Sequence, residues 1–292
     1  MAKGRDINIA LGALNIVLKK HSDENYISLL EQAFKHSYPV KVFGQYHAIP
    51  SKLDINREEG YIFGKLYRFT DINENQAWID TKKVTEIRDE DGKPIPQVDK
   101  DLKPNSKEIY FVFIIKNHRL VFDQKFIATS SMKGFFENLF KDSILRDISK
   151  SDINITIEQS EENLEQILKI KHISEIELEI NRPNPDDISS LEGSVKARLT
   201  NMNADQFTQQ IKSKESSIKP DKDFTQMMKV AISNGVVKAK GINEAGKKIF
   251  ESTLSHPLKV FKTYNTEQTT YYDALKTYAI DLVESIIDRM KK

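Results

Sequence analysis

The sequence contains no cysteine and no apolar run that approaches the roughly 20 residues needed to span a bilayer. Without cysteine, the chain forms neither disulfides nor thiolate metal sites, and it has no cysteine nucleophile. Its formal net charge is +1 over 292 residues, so the overall charge indicates no partner. The N-terminus does not read as a signal peptide. These absences predict a cytoplasmic protein with no membrane contact.

Motifs of the common enzyme classes are missing as well. The sequence has no Gly-x-Ser-x-Gly, no Walker-type glycine loop and no dinucleotide-binding fingerprint. The histidines do not follow His-x-Glu or His-x3-His spacing, so no zinc site is expected. This pattern counts against common hydrolases, NTPases and Rossmann enzymes. We predict no cofactor and lean towards a protein that is not an enzyme.

What the chain does have is 39% hydrophobic and 30% charged residues, which suits a soluble fold with a sizeable core. Residues 7–18 alternate as a strand does, and Gly12 within them suggests a bulge or a close backbone approach. Ser22 is a good N-cap for an amphipathic helix over 23–36. Residues 40–88 resemble a β-meander with a turn at Pro50-Ser51, and the polar stretch 89–107 predicts a loop.

The clearest fold signal lies in residues 108–182. Two β-branched and aromatic runs meet at 116–119 and predict a hairpin, and a helix capped by Ser130 or Ser131 follows. Alternating strands around 153–157 and 176–180 flank a short helix capped by Ser160, which predicts a β-α-β unit. The order β-β-α-β-α-β indicates an α+β protein, in which a mixed sheet carries a ferredoxin-like unit.

Pro183 and Pro185 interrupt the sheet pattern and place a domain boundary at residue 187. We therefore expect a β-rich α+β domain over 1–187 and a helical, lysine-rich region over 188–292. That region should contain helices at 188–217 and 221–232, then a short hairpin over 236–246 whose partner strand is 257–262. The apolar stripe of the last helix predicts either intramolecular core or pairing between subunits in a homo-oligomer.

Two adjacent blocks of the chain differ in charge. Residues 152–192 are rich in acids, whereas residues 212–262 are rich in lysine. A lysine-rich strand and turn with neighbouring glycines is suited to a nucleic-acid backbone, DNA or RNA. The alternative is an ordinary solvated lysine surface. The candidate nucleic-acid-binding residues of this block are Lys238, Lys240, Lys247 and Lys248.

Two further stretches are weaker candidates. His118 and Arg119 lie at the predicted hairpin turn, where they would either contact phosphate or form a plain surface turn. Asp186 and Asp187 would either hold a divalent cation such as Mg²⁺ in a nuclease or cap the next helix. The helix cap is favoured, because no strand with the rest of a nuclease pattern follows. No metal site is predicted outside that alternative.

Three stretches together carry a family resemblance. They are Lys116–Phe122, Arg182–Asp187 and Ala231–Gly241, and the earlier Phe69–Ile72 followed by Trp78 agrees with them. In this order and spacing, the chain resembles an uncharacterised bacterial family catalogued as domain of unknown function 4747. The resemblance covers nearly the whole chain and transfers no established activity. It implies an accessory protein of mobile, defence-associated regions, and hence an anti-phage role.

The leading hypothesis is a non-enzymatic defence component that senses or binds nucleic acid or a phage protein. The lysines would contact the phosphate backbone, and the C-terminal helix would contact a partner or a second copy. One alternative is a metal-dependent nuclease that uses Asp186 and Asp187. The other is a protein–protein adaptor without nucleic-acid contact, for which the acidic strand Glu175, Glu177 and Glu179 is an equally good surface.

Overall fold

The computed structural model describes residues 4–72, 76–95, 99, 101–141, 143–181 and 190–291. Its strands are β1 Asp6–Leu18, β2 Val40–Phe43, β3 Tyr46–Asn56, β4 Tyr61–Thr70, β5 Trp78–Asp80, β6 Thr85–Ile87, β7 Lys107–Ile114, β8 Arg119–Asp123, β9 Ile153–Ile157, β10 His172–Asn181, β11 Gln206–Lys212, β12 Gly235–Ile242, β13 Lys248–Ser252 and β14 Val260–Asn265. Its helices are α1 Asp23–Lys35, α2 Thr129–Leu139, α3 Glu161–Leu168, α4 Ser190–Asn201, α5 Lys222–Asn234 and α6 Tyr271–Lys291.

The described strands form two main sheets and one small ribbon. The first sheet has the order β14-β1-β8-β7-β4-β3-β2, and β9 also pairs with β1. The second sheet has the order β11-β10-β12-β13, and β5 pairs with β6. The α+β class is therefore confirmed. A mixed sheet was predicted, but every pairing among the described strands is antiparallel.

The first sheet is covered on both faces because its strands alternate apolar residues towards each side. Leu14 and Ile16 of β1 pack with α1 and α2, whereas Ile9 and Leu11 pack with α6. Burial of these side chains is the main favourable contribution to the fold. The predicted intramolecular role of the last helix is thus confirmed. Its role in pairing subunits stays a prediction.

The second sheet has one apolar face and one polar face. Ile176, Leu178 and Ile180 of β10 pack against α3, α4 and α5, while the intervening glutamates point away from that core. The period of two along β10 matches a strand with one buried face.

The ferredoxin-like unit is not confirmed, because its two expected parallel strands lie in different sheets. β9 pairs with β1, whereas β10 pairs with β11 and β12. Helix α3 therefore connects the two sheets and does not cross over one of them. The apolar side of β10 finds its partners on α5, which sequence spacing alone does not reveal.

Several local predictions were wrong. The helix expected over 188–217 ends at Asn201, and β11 follows, because Phe207 and Ile211 alternate with outward polar residues. Residues 257–262 do not pair with the hairpin, since β14 pairs with β1. Pro50 lies inside β3, which carries a register shift there, and was not a turn. Helix α2 begins at Thr129 with Ala128 as its N-cap, ahead of the predicted serines.

Other local predictions are confirmed. Ser22 and Ser160 cap α1 and α3 through their side chains. Gly12 marks a close approach to its backbone, since an added Cβ would clash with the side-chain amide of Gln124. The predicted domain boundary falls in 182–189, outside the described residues. Described strands from both sides of it share sheets, because β10 pairs with β11 and β14 pairs with β1.

Candidate nucleic-acid interface

The lysines of β12 face the glutamates of β10 on the polar side of the second sheet. Lys238 Nζ lies 2.9 Å from Glu177 Oε1 and 3.5 Å from Glu179 Oε2, and Lys240 Nζ lies 2.8 Å from Glu175 Oε1. The hydrogen bond from Lys240 holds the pKa of Glu175 below its usual range. The hydrogen bond to Glu177 holds the pKa of Lys238 above its usual range. These two lysines and three glutamates form a ladder of cross-strand ion pairs, called the charge ladder below.

Lys247 and Lys248 lie beside the turn between β12 and β13. Both side chains are exposed, and neither forms an ion pair with a carboxylate in the described part of the chain. The four predicted lysines therefore divide into two pairs. Lys238 and Lys240 are neutralised by β10, whereas Lys247 and Lys248 remain available at the end of the hairpin.

His118 and Arg119 are fully buried, so the prediction of a surface turn was wrong. His118 adopts a positive φ of 56°, and its ring stacks on Tyr26 with a centroid separation of 4.0 Å. Arg119 Nε donates to Glu158 Oε1 at 2.6 Å. In this conformation, neither side chain presents a surface that a nucleic acid could reach.

Arg119 belongs to a buried network centred on the Glu158 carboxylate. Arg289 Nη2 donates to Glu158 Oε2 at 2.6 Å, and the Ser233 hydroxyl donates to the same oxygen at 2.9 Å. Arg119 Nη1 also donates to Asn15 Oδ1 at 2.9 Å. These five residues, called the buried network below, join β1, β8, the end of β9, α5 and α6. They connect the first sheet to α5, the helix that packs against the second sheet.

Two of the stretches that carried the family resemblance meet at this network. Lys116–Phe122 supplies Arg119, and Ala231–Gly241 supplies Ser233. Gly235 in the second stretch approaches β10 closely, because an added Cβ would clash with the Glu179 carbonyl. Sequence reasoning missed Glu158, since it follows the alternating Ile153–Ile157 strand at a position where an outward acid is expected.

The third stretch, with Asp186 and Asp187, lies outside the described residues. Among the residues that are described, no group of three or more histidine, aspartate or glutamate side chains is arranged to hold a metal ion.

The first sheet is split at one end because β8 is shorter than its two neighbours. β8 ends at Asp123, opposite Leu11, and the backbone N–H of Gln124 still donates to the Ala10 carbonyl at 2.7 Å. Beyond that point, β1 continues through 6–10 and β7 through 107–110. In the described part of the chain, no strand lies between these two segments.

Basic and aromatic side chains gather around this split, on the face that α1 and α2 cover elsewhere. The strand register places these side chains on one face of the sheet. Arg68 pairs with Lys107, and Phe261 pairs with Ala10. Both pairs lie on the same side of the sheet as the buried Phe111 and Phe122. We call this surface the aromatic–basic row. Its members are Tyr46, Arg68, Lys107, Lys125, Phe126, Lys259 and Phe261.

Each ring of the row has a cation beside it. The Arg68 guanidinium lies 4.4 Å from the Tyr46 ring centroid, and its Nη1 donates to the Phe126 carbonyl at 2.8 Å. Lys107 and Lys125 place their ammonium groups 5.8 and 5.2 Å from the Phe126 centroid. Such cation–π contacts position a cation without neutralising its charge.

At the far end of the row, Lys259 Nζ lies 5.1 Å from the Phe261 centroid, and Phe261 is 67% exposed. Lys107, Lys125 and Lys259 form no ion pair with a carboxylate of the described residues. The adjacent Glu108 points to the opposite face, where Lys65 binds it at 2.7 Å. The row therefore keeps its positive charge, in contrast to the charge ladder.

Comparison with known proteins identifies a family and no activity. A family model described as Domain of unknown function (DUF4747) matches residues 7–280, so the chain belongs to this family, as the sequence motifs predicted. Comparison with curated proteins gave no match. None of the helices in the described ranges is long and apolar enough to cross a membrane.

Proposed function

We propose that the protein is a non-enzymatic, single-stranded nucleic-acid-binding component of bacterial anti-phage defence, and that the aromatic–basic row is its binding surface. The observation that supports this proposal is the alternation of unneutralised cations with accessible rings across one sheet face. Single strands bind to such surfaces because bases stack on aromatic rings while phosphates meet lysine and arginine.

The dimensions of the row suit an extended strand. From β3 to β14 it crosses five strand spacings, or about 24 Å at about 4.8 Å each. That length lies across the strands, so successive bases would meet Tyr46, Phe126 and Phe261 in turn. A duplex keeps its bases stacked on each other, so it would gain only the phosphate contacts.

The four predicted lysines of the β12–β13 hairpin take a smaller part in this proposal. Lys247 and Lys248 would add backbone contacts at the hairpin, while the glutamates of the charge ladder already neutralise Lys238 and Lys240. The defence role rests on the family resemblance. Plaque counts on a phage-challenged host that carries the wild-type gene or a Phe261→Ala gene would test it.

The binding proposal is tested with a labelled oligothymidylate of about 15 nucleotides and a duplex of equal length. Fluorescence anisotropy should show tighter binding of the single strand, and the binding should weaken as salt rises. Equal or tighter binding of the duplex would contradict the row as a stacking surface.

The same samples separate the alternatives. After incubation with Mg²⁺, the strand should stay intact on a denaturing gel. Cleavage that Asp186→Ala abolishes would replace the proposal with the nuclease hypothesis. Absence of binding to either nucleic acid would overturn the proposal in favour of a protein–protein adaptor.

A further inference from the structure

A half-open cavity of about 340 Å³ lies at the split in the first sheet. Its two sides are the ends of β1 and β7, and it occupies the position that a longer β8 would fill. Phe126 lies on one face of the sheet at the cavity, whereas Tyr110, Tyr264 and Tyr271 line it from the α6 side. The volume lies within the range that small-molecule sites commonly show, about 300–1,000 Å³.

Two of the three tyrosines that line the cavity are held in place by hydrogen bonds. The Tyr271 hydroxyl donates to Asp123 Oδ2 at 3.2 Å, and the Tyr110 hydroxyl donates to Glu108 Oε2 at 2.5 Å. The Tyr271 ring lies 5.5 Å from the Tyr110 centroid and 6.2 Å from the Tyr264 centroid. Because these rings already have fixed orientations, a planar ligand would lose little free energy in ordering them.

The two strand ends give the cavity polar edges in the plane of the sheet. Ile7 and Asn8 of β1 and residues 107–110 of β7 line the cavity, and no described strand lies between these two segments. Backbone N–H and C=O groups of a strand point sideways, towards the position of the next strand. Across two strand spacings, about 9.6 Å, they can hydrogen-bond the edge of a flat ring while its faces contact Phe126 and Tyr271.

We infer that this cavity takes one nucleobase of the bound strand, turned out of the stack, and that Lys107 and Lys125 at its rim hold the adjoining phosphate. This inference rests on the proposed function and names the specific pocket within it. Hydrogen-bonding groups at the edge and aromatic rings at the faces are how flipped or splayed bases are recognised. Lys107 and Lys125 line the cavity and also belong to the aromatic–basic row.

The inference is tested on the wild-type protein by photo-crosslinking to an oligonucleotide that carries one 4-thiothymidine at successive positions. Mass spectrometry should find the crosslink in peptides that contain Tyr110, Phe126 or Tyr271. Crosslinks confined to Phe261 and its neighbours would overturn the cavity inference and leave the proposed function standing. If the oligonucleotide does not bind at all, the proposed function fails with it.

A variant pair gives an independent readout. Tyr271→Leu should weaken oligothymidylate binding about 5- to 150-fold, the loss expected for one stacked base. Tyr278→Leu is the matched control, because Tyr278 lies on the same helix and packs on the same sheet outside the cavity; its affinity should stay within about twofold. Thermal unfolding checks that both variants fold. Equal affinities of two folded variants would contradict the inference.

Discussion

The charge ladder and the aromatic–basic row place basic side chains in two different environments. In the ladder, every lysine lies within 4 Å of a glutamate of the neighbouring strand. In the row, Lys107, Lys125 and Lys259 lie beside aromatic rings and meet no described carboxylate. The first arrangement holds a sheet together, and the second leaves charge available for a ligand. Lysine content along the chain therefore does not by itself identify a candidate binding surface.

The buried network extends this comparison to the interior. It is also built from ion pairs, with two arginines around one glutamate, but Arg119 and Glu158 have no exposed side-chain surface. Removing one member of a buried pair leaves a charge without compensation in a low-dielectric environment. Ion pairs in the buried network and in the charge ladder are therefore expected to contribute very different amounts to the free energy of unfolding.

The largest expected effect follows from Glu158→Ala. The free energy of unfolding should fall by about 3–5 kcal/mol, because two arginines lose their common carboxylate in the interior. Urea denaturation measures the change. The matched control is Glu177→Ala in the charge ladder, a half-buried pair at the surface that should cost less than about 1 kcal/mol. Similar losses in both variants would remove the distinction between buried and exposed pairs.

The next effect concerns two exposed phenylalanines. Phe261→Ala should weaken single-strand binding by about 1–3 kcal/mol, the contribution of one stacked base. Phe250 on β13 is 58% exposed and lies beside the charge ladder, so Phe250→Ala is the matched control and should leave affinity unchanged. Anisotropy titrations measure both. If Phe250→Ala had the larger effect, the binding surface would lie on the second sheet.

A smaller effect is expected when Lys238 is replaced by methionine. The side chain becomes one heavy atom shorter and loses its charge, so stability should fall by less than about 1 kcal/mol. The difference from wild type should shrink as salt rises, because salt screens exposed pairs. Thermal unfolding at low and high salt measures it. A loss that does not depend on salt would indicate that packing, and not charge, explains the effect.

The smallest effect is the pH dependence of the ladder. Because Lys240 lowers the pKa of Glu175 in the folded state, the pair stabilises the fold above the ordinary glutamate pKa of about 4.3. That stabilisation should be lost as the pH falls through the lowered pKa. Melting temperatures of wild type and Glu175→Gln should therefore differ at pH 7 and converge in acid. A difference that persists in acid would contradict this assignment.

The spacing of apolar residues and the N-cap residues of helices predicted most of the local structure. Alternation located β1, β9 and β10, and the serine caps located α1 and α3. Pairing could not be predicted in the same way, because it depends on contacts between distant residues. β14 pairs with β1 across about 250 residues of sequence, and neither strand shows which partner it takes.

The candidate site was still less predictable. Lys238 and Lys240 formed a visible cluster, but their neutralisation depends on the register of β10 against β12. The row is built from β3, β4, β7, β14 and the segment after β8, so its residues share no local pattern. The only local signals were Lys125 next to Phe126 and Lys259 two residues before Phe261.

The most direct test of the central claim compares two double variants that each remove two positive charges. In Lys107→Met/Lys125→Met, the slope of log affinity against log salt should become shallower by about 1.4, or about 0.7 for each lost phosphate contact. In Lys238→Met/Lys240→Met, the slope should match wild type. The opposite result, a loss only in the β12 variant, would contradict the account and place the nucleic-acid interface on the second sheet.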